Sequence, residues 1–191
     1  MTTSAPLEKV PDKAVVWLRL ALVALLAWWG IVIMRDPMET IVHGIDTGIH
    51  ETGHIIFGPF GETMMFLGGS LFQVMFPCFF VAYFLRRGDR FAASAVMWWV
   101  AQNLWDVSVY VGDARALQLT LLDGQQGSDG HDWMNILDAW GQTSNDTKIA
   151  RGVFLVGVLC YLVSIAGGVA FAQPATPAEP DAALSGSRDR A

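Results

Sequence analysis

Residues 50–54 read His50-Glu51-Thr52-Gly53-His54, an H-E-x-x-H spacing. In a helix, residues four apart stand on one face about a turn apart, so both imidazoles can reach one ion. A glutamate beside the first histidine can then take a proton from water bound to that ion. This is the chemistry of a zinc hydrolase, with His50 and His54 as metal ligands and Glu51 as general base. One Zn2+ per chain is expected, and it needs a third protein ligand. His131 is the first choice, being the only histidine outside the first cluster, and its neighbour Asp132 the second. Asp123 and Asp106 are weaker candidates. A residue of this set that is not a ligand is a candidate partner for the second ring nitrogen of a histidine that is one. His43 lies seven residues before His50, about 10.5 Å along a helix, too far to share the ion. It reads as a polar residue on a solvated face, or as a substrate contact or proton donor above the metal.

A helix must carry this motif. Asp36 is a good N-cap, Pro37 suits a first helical position and Glu39 falls three after the cap. The pattern predicts a helix over 37–57, stopped by Gly58-Pro59. On its wheel His43, His50 and His54 fall within about 40° of one another. Ile41, Val42, Ile45, Ile49, Ile55 and Ile56 occupy the opposite face. A second row, Thr40, Gly44, Gly48 and Thr52, is small at every fourth position, which lets helices approach closely in lipid.

The surrounding chain is apolar. Of 191 residues, 53% are hydrophobic and 16% charged, against about 25% charged in ordinary soluble domains. The apolar residues gather in runs that predict an all-α membrane helical bundle, one domain over 14–172. Spans are expected at about 14–34, 62–85, 91–111 and 149–172, with a polar outer loop at 112–148. The tails 1–13 and 173–191 are expected to be disordered. The motif helix either lies in the interface, giving four spans, or crosses, giving five. The Arg86-Arg87-Gly88-Asp89-Arg90 cluster places that turn in the cytoplasm and the histidines towards the outer face. Asn103, Asp106, Tyr110 and Asp113 share one helix face, which should look into the bundle as interhelical contacts. Cys78 and Cys160 sit in apolar runs and read as small buried hydrophobes. The net charge of -6 offers no basic patch and argues against nucleic-acid binding. The bilayer is the expected partner.

With His50-Glu51-Thr52-Gly53-His54 in a membrane-associated helix, several further spans and a later Leu122-Asp123-Gly124, the chain resembles the site-2-protease-like membrane zinc metallopeptidases. Its Gly130-His131-Asp132-Trp133 segment is similar to that of small bacterial members sharing the H-E-x-G-H core. The resemblance implies zinc on His50 and His54, Glu51 as base and Asp123 as third ligand, in a bacterial cytoplasmic membrane.

The expected function is therefore an integral membrane zinc metallohydrolase, a peptidase acting on a membrane-protein or peptide substrate. The alternative is a non-enzymatic metal-binding membrane protein, a metal carrier or assembly factor. A purely structural bundle is the third reading.

Overall fold

The computed structural model describes residues 12–120 and 130–173. The Leu122-Asp123-Gly124 segment and nearly all of both tails lie outside the described residues. Among those described there are six α-helices and no strand: α1 (Asp12–Ile33), α2 (Ile41–Phe57), α3 (Glu62–Arg86), α4 (Arg90–Asp113), α5 (Asp132–Ala139) and α6 (Asp146–Ala170). The all-α expectation is met.

Among the described residues, three helical segments are long and apolar enough to cross a membrane: Lys13–Ile33, Glu62–Arg86 and Thr143–Ala170. Their outward faces carry Trp17, Leu25, Phe79, Leu159 and Leu162, each more than half exposed. Such a surface suits hydrocarbon rather than water. The fourth expected span, α4, has 24 residues but is not among the three. It forms the bundle's core, burying Gln102, Asn103, Asp106 and Ser108 beside Trp98, Ala101 and Trp105. It packs along α6 and against α3.

Two side chains tie α1 to this core. Trp98 Nε1 donates to the Leu26 carbonyl at 2.8 Å, and the Tyr161 hydroxyl to that of Ala27 at 2.6 Å. At the other end, Arg115 makes a forked pair with Asp146, both bonds 3.0 Å, joining the end of α4 to the start of α6.

The motif helix starts later than its local signals predict. Thr40, not Asp36, is the N-cap: its Oγ1 accepts from His43 N at 3.1 Å and donates to the Pro37 carbonyl at 3.2 Å. Pro37 is buried in the turn that leaves α1. That placement uses residues 36–40 for a change of direction instead of a first helical turn. The helix keeps 17 residues, about 26 Å, and ends at Phe57 as the Gly58-Pro59 signal predicts.

Candidate metal centre

The helix α2 can approach α3 closely because both present glycine at the crossing. A Cβ on Gly53 would strike the Gly68 carbonyl, and one on Gly69 would strike the His50 ring. The small residue inside the H-E-x-G-H motif is thus a packing requirement. It brings the His50 and His54 rings against α3, centroids 4.8 Å apart.

Each ring is fixed through its Nδ1. His50 Nδ1 meets Gln73 Oε1 at 3.0 Å, and His54 Nδ1 meets the Met65 carbonyl at 2.7 Å. Both partners are acceptors, so both Nδ1 atoms carry the proton. Both Nε2 atoms then point at one place, and the third group there is a carboxylate. Asp132 Oδ2 lies 2.9 Å from His50 Nε2 and 3.3 Å from His54 Nε2. Ligand atoms about 2.0–2.1 Å from a tetrahedral ion stand about 3.3 Å apart. The two distances from Asp132 Oδ2 to the histidines are therefore near those between ligand atoms on one ion.

Glu51 stands beside these atoms. One oxygen of its carboxylate shares a 4.8 Å neighbourhood with ligand atoms of His50 and His54. Glu51 is exposed, and no hydrogen bond ties it to another described residue. The two carboxylates thus differ in setting: Asp132 Oδ2 faces both histidines, whereas Glu51 is exposed at the cavity wall.

When protons occupy the space between these atoms, the Asp132 hydrogen bond raises the His54 imidazole to about 9, against the pull of burial. Burial pushes the Asp132 carboxyl up, but its bonds with His50 and His54 win and hold it below the usual carboxylate range. The carboxylate is thus ionised and ready for a cation.

Asp132 owes its position to α5. Trp133 Nε1 donates to Ser70 Oγ of α3 at 2.9 Å, and Ile136 and Leu137 bury against Val107 and Val111 of α4. The Asp132 N–H donates to the Tyr110 hydroxyl at 3.0 Å.

Of the two leading candidates for third ligand, the chain brings Asp132 to the pair and turns His131 away. His131 caps α5: its Nδ1 accepts from Met134 N at 3.2 Å, while Nε2 faces Asp113 Oδ2 at 3.3 Å. Both ring nitrogens are spent, leaving no lone pair for a metal. Burial draws the His131 imidazole below its ordinary value, with Asp113 opposing. Asp106 also stands apart from these ligand atoms. Its Oδ2 accepts from Gln73 Nε2 at 2.7 Å and its Oδ1 faces His43 Nδ1 at 2.9 Å. Asp106 thus reaches His50 only through Gln73. Asp123 lies outside the described residues.

His50, Glu51, His54, Gln73 and Asp132 line one open cavity of about 930 Å³, with His43 and Glu39 also on its wall. Two contributors escaped the sequence reading, Gln73 and the Met65 carbonyl. Gln73 had a signal, as a polar side chain within an apolar run; a backbone carbonyl has none. The polar face of α4 is more than helix-to-helix contact, since Asp106, Tyr110 and Asp113 each reach a residue of this site or its supports. No protein-family model, curated protein or solved structure matches this chain, so the chemistry of the centre stands on its geometry.

Proposed function

We propose that this protein is an integral membrane zinc-dependent metallohydrolase, a peptidase whose ion is held by His50, His54 and Asp132. The observation that carries the reading is the convergence of two Nε2 atoms and one carboxylate oxygen, with both Nδ1 atoms committed elsewhere. That pattern of outer partners is how proteins hold metal-binding imidazoles. The resemblance to site-2-protease-like peptidases supports it, with Asp132 in the place expected of Asp123.

A zinc ion held there supplies Lewis acidity and lowers the pKa of water towards about 7. Glu51, with no hydrogen bond to another described residue, accepts the proton of the attacking water and returns it to the leaving amine. In the bilayer, α1, α3, α4 and α6 cross. On this reading α2 and α5 lie at the outer side, since the site sits at the end of the α3–α4 hairpin away from Arg86 and Arg87.

The test is elemental mass spectrometry of the detergent-purified protein, followed by cleavage of a quenched fluorescent peptide library. We expect one zinc per chain, absent from the His50→Ala/His54→Ala variant. Glu51→Gln should keep the zinc and lose about 10²- to 10⁴-fold in cleavage. Zinc bound with no cleavage in any variant would favour a metal carrier, and no zinc after reloading would remove the metal reading.

A further inference from the structure

An attacked carbonyl becomes negatively charged on oxygen, and a hydrolase needs a donor aimed at that atom as well as a base. Glu51 can serve as base, but no arginine or lysine lines the cavity among the described residues. The donors must come from elsewhere.

Tyr110 stands in the right place. It projects from α4 into the cavity that holds His50, Glu51, His54 and Asp132. Its ring centroid is 5.9 Å from that of His50. On its other side it packs against His131, centroids 4.5 Å apart. The hydroxyl oxygen accepts the Asp132 N–H at 3.0 Å, which fixes the oxygen beside the ligand residue. An oxygen that accepts this bond still has its own proton to give. The Asp132 carboxylate lies near enough to interact with that hydroxyl by hydrogen bonding and by charge, while its Oδ2 faces both histidines; a substrate oxyanion in the cavity would compete with it for the proton.

We infer that Tyr110 donates a hydrogen bond to the substrate carbonyl oxygen as water attacks, making it a catalytic residue of the hydrolase proposed above. This inference rests on that reading. In the step, the water oxygen forms a bond to the carbonyl carbon and the C=O π pair moves onto the carbonyl oxygen. The water proton goes to Glu51. The Tyr110 proton stays on its own oxygen and is shared with the new oxyanion. When the C–N bond breaks, the pair returns to C=O and Glu51 hands its proton to the amine.

Two metal-directed probes separate this role from a merely structural one. A phosphonamidate peptide offers tetrahedral oxygens that copy the oxyanion, whereas butanethiol binds zinc through sulfur and offers none. Both are titrated by calorimetry into zinc-loaded wild type and Tyr110→Phe, with zinc content measured alongside. We expect equal zinc, equal thiol affinity and a loss of about 10- to 100-fold in phosphonamidate affinity, the worth of one hydrogen bond to a charged oxygen. Unchanged phosphonamidate affinity would overturn the inference. So would parallel loss of zinc, thiol and phosphonamidate, because the hydroxyl would then only hold Asp132. A wild type that loads zinc and binds thiol but not phosphonamidate overturns it too. If wild type takes up no zinc at all, the hydrolase reading itself fails, which is a distinct result.

Discussion

The side-chain amide of Gln73 faces Nδ1 of His50 through its oxygen, at 3.0 Å. Its orientation is not free. The amide nitrogen donates to Asp106 Oδ2 at 2.7 Å, which leaves the amide oxygen for His50. The oxygen therefore points at His50, so Nδ1 of His50 carries a proton and Nε2 is the nitrogen left to share a proton or an ion with Asp132. Asp106 in turn holds His43 through its other oxygen at 2.9 Å. A tautomer on α2 is thus set by a glutamine on α3 and an aspartate on α4.

Replacing Gln73 by Leu removes that instruction without touching a ligand. The His50 proton can then sit on either nitrogen, and the ring loses its anchor. Zinc affinity, measured by competition with a chelator, should fall about 10- to 100-fold. The fold should persist, because the leucine suits an apolar helix. An affinity equal to wild type would mean that Gln73 does not set the ligand.

Neighbouring residues 131 and 132 offer a sharper contrast. Asp132→Asn weakens one ligand of three and should strip zinc from the purified protein. His131→Asn keeps a capping side chain at the start of α5 and should retain about one zinc per chain, at some cost in thermal stability from the lost Asp113 contact. The reverse order of zinc content would move the site to His131.

The sequence shows the motif face because a 3.6-residue period puts His43, His50 and His54 on one stripe, and all three line the same cavity. It cannot choose between His131 and Asp132. Adjacent residues at a helix start differ in direction, and the choice turns on which of them caps. His131 takes the cap, with extended backbone (φ -83, ψ 99) and its ring folded onto Met134 N, which leaves Asp132 to face α2. The start of α2 departs from its local signals for a related reason. Asp36 and Thr40 can both cap, and burial of Pro37 in the turn from α1 decides between them. Local patterns carry helices and faces; the contacts that pick one of two equal local choices come from other elements.

Gly69 is a tertiary contact that a single methyl can probe. A Cβ there collides with the His50 ring, while one on Gly44 meets nothing within 4 Å. Gly69→Ala should cost about 1–3 kcal/mol through overpacking and lower zinc occupancy by pushing the ring off its position. Gly44→Ala should leave zinc unchanged and stabilise α2 by up to about 1 kcal/mol. Thermal unfolding with and without zinc reads both terms. Equal zinc content in the two variants would show that the α2–α3 contact does not position His50.

Protons and zinc compete for the same atoms, so the zinc effect must depend on pH in a defined direction. In the zinc-free protein the bond to Asp132 raises His54 from its ordinary 6.5 to about 9. A raised histidine stabilises the folded chain fully below 6.5, and that contribution disappears as pH climbs through about 9. Asp132 works the other way: its carboxyl is held below 3.8, so its contribution exists above that value and is lost on acidification. Zinc has to displace the His54 proton throughout the window from 6.5 to about 9. Its apparent affinity should therefore rise about tenfold per pH unit there and flatten above it. Melting temperatures taken with and without zinc should diverge as pH rises from 6.5 to 9, since the zinc-free protein weakens while zinc binds more tightly. Calorimetry at pH 7 in two buffers of different ionisation enthalpy should count about one proton released per zinc. A melting shift independent of pH, with no proton released, would mean that His54 does not share its Nε2 between Asp132 and the ion.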